Sequence, residues 1–103
     1  MIRHIVFFSA RDKNDLDTIR KGLSLLTEIP HAGVLEIGEN VKTDQLGGEV
    51  DLVVYGEFAD ADALAAYKAH DNYQRSIEIV RPLREIRIAA DYDSGAAVKR
   101  PLV

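Results

Sequence analysis

Hydrophobic and polar residues alternate along this chain in a pattern that predicts four β-strands. Apolar, β-branched and aromatic residues concentrate at residues 2–9, 33–41, 50–58 and 85–92, and such residues favour a pleated, half-buried backbone. Gly38 is expected to break the second strand. The first strand has two apolar faces, composed of Ile2, His4, Val6 and Phe8 on one side and Arg3, Ile5, Phe7 and Ser9 on the other. We therefore expect both faces to be covered.

Between these strands, apolar residues recur at helical spacing. Leu16, Ile19, Leu23 and Leu26 predict one helix, which begins near Asp12 or Asn14 and ends before Pro30.

Asp60 is a suitable N-cap for a second, alanine-rich helix that runs to about residue 69. Asp71, with Gln74 three residues later, predicts a further capped turn that ends before Pro82.

The resulting order, β-α-β-β-α-β, predicts an α+β protein with a ferredoxin-like fold, in which both helices cover one face of a four-stranded antiparallel sheet. A polar loop at residues 43–49 joins the second and third strands as a wide hairpin. We expect one domain at residues 2–92 and a loose tail at 93–103, whose Leu102 and Val103 could dock on the domain.

The second face of this sheet has no helix to cover it. If His4, Val6 and Phe8 point toward the helices, the uncovered face carries apolar side chains from three strands, namely Ile5, Phe7, Val53, Tyr55 and Ala89. A patch this apolar is rarely left in contact with water. The sequence therefore predicts a two-fold homodimer with sheet packed against sheet.

Composition narrows the function classes. The 103 residues carry a net charge of −4 and contain no cysteine, which argues against nucleic-acid binding, disulfides and thiolate chemistry. No stretch is apolar enough to span a membrane, and the first residues lack a signal-peptide layout, so a cytoplasmic protein is expected. No phosphate or dinucleotide fingerprint is present, and the spacing of the three histidines matches no metal site, so no cofactor is expected.

Residues 67–73 bring one imidazole and two phenols close together, and they carry the candidate chemistry with His4. His4, Tyr67 and His70 are the candidate catalytic residues, because imidazoles transfer protons near neutral pH and phenols donate hydrogen bonds. Each also has a structural interpretation. His4 and Tyr67 are then core residues with satisfied polar atoms, and His70 is a cation at a helix C-terminus.

Other polar residues have simpler interpretations. Tyr73 and Ile77 are expected to form a pocket wall together with Val6 and Phe8. Asp91 and Asp93 are interpreted as solvated strand-end residues. The arginines at 75, 81, 84 and 87 are interpreted as a solvated or dimer-edge series, with an anion site as the alternative.

Several short motifs in this order resemble the stress-responsive α/β-barrel (Dabb) family, within the dimeric α+β barrel group. They are the opening Met-Ile-Arg-His-Ile-Val-Phe-Phe, the strand Asp-Leu-Val-Val-Tyr-Gly-Glu-Phe at 51–58, the pair Tyr67-x-x-His70, and the final Ile-Ala-Ala-Asp-Tyr. The resemblance covers about residues 2–92. It implies a homodimer with a small cavity in each subunit between the sheet and its own helices.

The family includes a plant polyketide cyclase that closes a ring by an aldol reaction without a cofactor. Its motif is Tyr-x-x-His-Pro-x-His, and the second histidine is its general base. Tyr67 and His70 match the first two of these residues, and His4 matches an early histidine that lines the cyclase pocket. Asp71 stands at the proline position and Tyr73 at the second histidine, so the general base of the cyclase is missing from this chain.

Three hypotheses follow. The first is a small homodimer of unassigned activity that holds a small apolar or carbonyl-bearing ligand. The second is a cofactor-free enzyme in which His70 or His4 removes a proton while Tyr67 holds an enolate oxygen. The third is a structural unit that builds oligomers. An enclosed, mostly apolar pocket of roughly a few hundred Å³, on which His4, Tyr67 and His70 converge, favours the first two. A filled interior favours the third.

Overall fold

The computed structural model describes residues 1–100 of the chain. Four strands are formed: β1 (Ile2–Ala10), β2 (Val34–Glu39), β3 (Leu52–Phe58) and β4 (Arg84–Asp93). Three α-helices accompany them: α1 (Leu16–Ser24), α2 (Ala61–Ala69) and α3 (Asp71–Val80). Short 3-10 turns lie at Lys13–Asp15, Leu25–Glu28 and Ser94–Ala96.

The strands form one antiparallel sheet in the order β2-β3-β1-β4. With all helices on one face, this is the ferredoxin-like fold, as the sequence predicted. In the central pair, β1 and β3 align so that His4 lies opposite Gly56 and Val6 opposite Val54. The first and third strands therefore place their even-numbered residues on the helix-facing side.

The helix ends follow the predicted caps in two of three cases. The Asp12 carboxylate accepts from the Asn14 amide and opens the 3-10 turn before α1. The Asp60 carboxylate accepts from the Ala63 amide, 2.8 Å away, and opens α2. The prediction was wrong after α2. The segment there is a complete helix, α3, and its N-cap is His70 rather than Asp71.

The core lies between the sheet and the helices. Its buried residues come from β1, β3 and all three helices, and include Val6, Phe8, Ile19, Leu23, Leu52, Val54, Phe58, Tyr67 and Val80. Helix α1 packs closely on α3, because a Cβ atom at Gly22 would lie only 2.8 Å from Cγ2 of Ile79. The absence of a side chain at Gly22 sets this helix spacing.

Two predictions about the strands need correction. Gly38 does not break β2, because it pairs in register with Val53 in the middle of the β2–β3 ladder. Ala89 is not on the uncovered face, because it pairs with Val6 and shares its helix-facing side. The neighbouring residues Ile88 and Ala90 occupy the uncovered face instead.

The face opposite the helices carries a continuous apolar area across the central strands. Ile5, Phe7, Val53 and Tyr55 lie there as predicted, with Phe7 directly between Val53 and Ile88. Phe7 is 38% exposed and Ile88 is 60% exposed. Arg3, at one end of the same face, donates to the Tyr92 hydroxyl at 3.1 Å, whereas its Nε has no partner within residues 1–100.

Hydrogen bonds to Asp51 connect the end of the long loop before β3 with the end of β1. Its buried carboxylate accepts from the Ala10 amide (2.9 Å), Lys13 Nζ (2.6 Å) and Lys42 Nζ (3.3 Å). Burial raises the pKa of this carboxyl, but the bonds from Lys13, Ala10 and Lys42 together outweigh burial, so the pKa is lower than usual. Asp51 therefore stabilises the fold in its ionised form.

Asp51→Asn is expected to lower the free energy of unfolding by about 1–3 kcal/mol at pH 7, since a buried charged acceptor is lost. The folded-state pKa is depressed, so the wild-type advantage is present above the unfolded value of about 3.9 and disappears as the pH falls through the folded value. Urea unfolding at pH 7 and near pH 3 measures both effects. Asp62→Asn, at an exposed acid in the first turn of α2, is the control. Equal losses at both pH values would contradict the role of the charge.

The segment after β4 is only partly a tail. Ser94 is buried, and its amide and hydroxyl both donate to the Met1 carbonyl, at 2.9 and 3.2 Å. The predicted docking of Leu102 and Val103 lies outside the described residues. No helix in the described part of the chain is both long and apolar enough to cross a membrane.

Candidate functional site

A small cavity lies between the helix-facing side of the sheet and helices α1, α2 and α3. Its volume is about 30 Å³, well below the size that would by itself favour the ligand or enzyme hypotheses over the structural one. Such a space holds about two water molecules or one small substituent. The exposed Arg87 is part of its lining, so the cavity opens to solvent beside β4.

His4 is one of the polar residues that line the cavity. Its ring is 1% exposed and lies in β1 opposite Asp91 of β4, whose carboxylate bonds to Nδ1 of the imidazole. Because a carboxylate is only an acceptor, this bond places the ring proton on Nδ1. In the neutral ring Nε2 then carries the free lone pair, and this is the form of histidine that acts as a base.

Tyr67 lies against His4, with ring centroids 6.2 Å apart in an edge-on arrangement. It is buried at the end of α2 and lines the cavity, and its hydroxyl bonds to no other group within residues 1–100. Burial raises the pKa of this phenol, the nearby Tyr73 raises it further, and Arg87 opposes the change. Tyr67 therefore stays protonated and has a hydrogen bond to donate.

Phe58 and Gly56 keep these two rings in place. The Phe58 ring packs on Tyr67 at 4.9 Å and on His4 at 6.2 Å. A Cβ atom at Gly56, the residue opposite His4, would lie 2.8 Å from the Phe58 ring. A glycine at position 56 thus leaves the room that the aromatic ring needs beside His4.

The four residues expected to form the pocket wall, Val6, Phe8, Tyr73 and Ile77, all line this cavity. Val6 and Phe8 contribute from the sheet, and Tyr73 and Ile77 from α3. The Tyr73 ring lies edge-on to Tyr67 at 5.3 Å, and its hydroxyl accepts from Arg87 Nη2 at 3.4 Å. The wall is therefore apolar with a few hydroxyl groups.

His70 does not join His4 and Tyr67 at the cavity, although it was a candidate catalytic residue beside them. Helix α2 ends at Ala69, and the extended backbone at His70 turns the chain into α3. There the imidazole Nδ1 accepts from the Asn72 amide at 3.0 Å, and the ring lies beside His31. The cap needs an unprotonated Nδ1, so His70 is an N-terminal acceptor and not the expected C-terminal cation.

His70→Ala is expected to lower the free energy of unfolding by about 1 kcal/mol, because the first turn of α3 loses its side-chain acceptor. His70→Asn supplies an equivalent acceptor and is the matched control. Thermal or urea unfolding of both variants measures the difference. Equal stability of the alanine and asparagine variants would show that the cap contributes nothing.

Sequence reasoning missed two polar residues of this site and gave two others a different first interpretation. Asp91 was interpreted as solvated, yet it bonds to His4, and Ser76 was not considered, yet it lines the cavity. Arg84 and Arg87 also line it, although they were interpreted as part of a solvated or dimer-edge series, with an anion site only as the alternative. Arg87 and Asp91 follow the same period-2 row of β4 as Ala89, and this alternation was the available signal. Within residues 1–100, no group of three or more metal-ligating side chains is placed to hold a metal ion.

Solved structures with this fold include proteins from several bacteria. A dimeric ferredoxin-like protein of unknown function from Jannaschia sp. CCS1 superposes with a TM-score of 0.79 at 20% identity, over 89% of this chain and 97% of that one. A similar protein from Thermobifida fusca gives 0.74 at 24% identity over 88% of each chain. A Dabb family protein from Mesorhizobium loti gives 0.72 at 20% identity, over 89% and 94%. At these identities the likeness concerns the fold.

The curated proteins contain no match to this chain. The family model of the stress responsive A/B barrel domain, Dabb, matches residues 2–94 of this chain. This range includes all four strands and all three α-helices. The chain therefore belongs to the stress responsive A/B barrel domain family.

Proposed function

We propose that the protein catalyses cofactor-free proton transfer on a small carbonyl compound, with His4 as the general base. The observation that carries this proposal is the buried His4–Asp91 pair beside the unbonded Tyr67 hydroxyl, at the wall of an apolar cavity. A base held in one tautomer next to a hydrogen-bond donor is the arrangement that enolisation requires.

In the proposed step, Nε2 of His4 removes a proton from the carbon next to the substrate carbonyl. The C–H bond breaks, its electron pair forms the C=C bond of the enolate, and the carbonyl π-pair moves to oxygen. Tyr67 donates a hydrogen bond to that oxygen. The Asp91 carboxylate stabilises the imidazolium that results, and the proton returns to carbon or passes to water.

The geometry limits the substrate to one whose reacting end is small. A cavity of about 30 Å³ accepts a methyl ketone or a similar group, and the rest of a larger molecule must lie in the opening beside Arg87. Within the family, cyclase chemistry uses a second histidine that this chain replaces by Tyr73. His4 takes the role of base in our proposal.

The test is deuterium exchange at the central carbon of acetylacetone in D2O, followed by proton NMR. The wild-type protein is expected to exchange this position faster than buffer containing the same concentration of imidazole. Exchange no faster than this reference would refute the proposal, because acetylacetone is small, neutral and readily enolised.

We further propose that the protein is a homodimer joined through the uncovered face of the sheet. Apolar residues of β1, β3 and β4 form a continuous area there, and the unpartnered Nε of Arg3 needs an acceptor. Structures with this fold from Jannaschia and Thermobifida are described as dimeric, which supports a dimer. Sedimentation is expected to give twice the 11.4 kDa mass of the chain.

A further inference from the structure

Two arginines stand at the opening of the cavity. Arg84 and Arg87 both belong to β4 and both line the cavity, with Arg84 half-buried and Arg87 exposed. The β1–β4 register places Arg87 opposite Phe8 and Arg84 opposite Ala10. Two guanidinium groups therefore share one side of a space whose floor is apolar.

Neither arginine has an acidic partner within residues 1–100. Other arginines do, since Arg11 lies 3.8 Å from Glu85 and Arg20 lies 3.2 Å from Glu39. The described hydrogen bond of Arg87 goes to the neutral hydroxyl of Tyr73. Asp91, the carboxylate nearest along the same row of β4, is bonded to His4.

The positive charge at this opening is uncompensated. Burial lowers the pKa of Arg84, and the positive charges of Arg87 and Arg81 lower it further. Like charges are costly when they are held together in a partly desolvated place. An anion bound between the two guanidinium groups would relieve this repulsion, and planar guanidinium groups match the geometry of a carboxylate.

The remainder of the cavity lining indicates what the anion is attached to. Apolar side chains form the floor, contributed by Val6, Phe8, Leu23, Leu26, Val54, Ile77 and Val80. We propose that Arg84 and Arg87 bind the carboxylate of a small ligand whose apolar, carbonyl-bearing end enters the cavity toward His4 and Tyr67. The choice of a carbonyl rests on the proposed function, whereas the carboxylate and the apolar end do not.

The experiment compares isovalerate with isovaleramide, which has the same shape without the charge, by titration of the isotope-labelled protein in NMR. Isovalerate is expected to shift the signals of cavity residues and to bind at least about 10-fold more tightly than the amide. Arg84→Gln and Arg87→Gln are each expected to weaken isovalerate binding about 10-fold and to leave amide binding unchanged. Arg75→Gln, at an exposed arginine of α3 that does not line the cavity, is the matched control.

Several results would overturn the inference. Equal affinity for isovalerate and isovaleramide would show that the cavity has no anion subsite. An equal loss of isovalerate affinity in Arg75→Gln would indicate a general charge effect. If inorganic phosphate binds more tightly than isovalerate and this binding depends on Arg84, the ligand group recognised by the arginines is a phosphate and not a carboxylate. If Arg84→Gln or Arg87→Gln sediments at the monomer mass while the wild-type protein is a dimer, the arginines contact a second copy of the chain instead of a ligand.

Failure of this inference and failure of the proposed function are separable. Acetylacetone carries no charge, so its exchange tests His4 and Tyr67 without the arginines. Isovalerate has no proton that exchanges readily, so its binding tests the arginines without catalysis.

Discussion

His4→Gln is expected to lower the protein-catalysed exchange of acetylacetone by about 10²–10⁴-fold, to the rate in buffer, because the variant has no general base. The side-chain amide of glutamine can still donate a hydrogen bond to the Asp91 carboxylate, which limits the disturbance inside the buried pair. Exchange rates from NMR, taken at one protein concentration for both proteins, give the ratio directly.

The matched control is His31→Gln, which removes an exposed imidazole from a loop outside the cavity and is expected to keep the full rate. If His4→Gln unfolds, Tyr67→Phe provides a second measurement. It keeps the ring packing on Phe58 and removes only the hydroxyl, so exchange is expected to fall at least about 10-fold. Unchanged exchange in either folded variant would contradict the proposed mechanism.

Phe7→Asp is expected to convert the proposed homodimer to a monomer. Phe7 lies in the middle of the uncovered face, between Val53 and Ile88, and a two-fold interface places both copies of the substitution in contact with the partner. Each buried carboxylate costs several kcal/mol, so a loss of about 4 kcal/mol, or about 10³-fold in Kd, is a conservative expectation. Sedimentation across a range of concentrations measures the change.

Leu46→Asp is the control for this variant, because it places the same charge on an exposed apolar residue in the loop between β2 and β3. It is expected to remain dimeric. A Phe7→Asp protein that folds and sediments as a dimer would show that the sheet face is not the interface. Circular dichroism separates that outcome from misfolding, since Phe7 is partly exposed in the single chain and is not needed for its core.

Local patterns were sufficient for the order of elements and for most of their ends. Period-2 alternation in β1 and β3 and the helical spacing from Leu16 to Leu26 depend on neighbouring residues only, so they can be read from the chain. The same alternation placed Val6 and Phe8 toward the helices and Ile5 and Phe7 away from them. The pocket wall and the uncovered face follow from that assignment.

The candidate base pair could not be predicted in this way. The faces of β4 depend on its register against β1, which shifts near Ser9, and a shift of one residue exchanges the two faces. The sequence interpretation assigned Ala89 to the uncovered face. Because Arg87 and Asp91 share the face of Ala89, this error kept both residues from being assigned to the cavity. A register is fixed by long-range pairing, which no local pattern contains.

His70 shows the same limit at a helix end. Its spacing from Tyr67 suits one helical face, but only the packing of α2 and α3 decides that the helix stops at Ala69 and that the imidazole accepts from Asn72. The sequence by itself determined the fold, the early histidine on the helix-facing side and the family. The tertiary structure decided which polar groups meet, because His4 and Asp91 are 87 positions apart in the chain and are joined only by the pairing of β1 with β4.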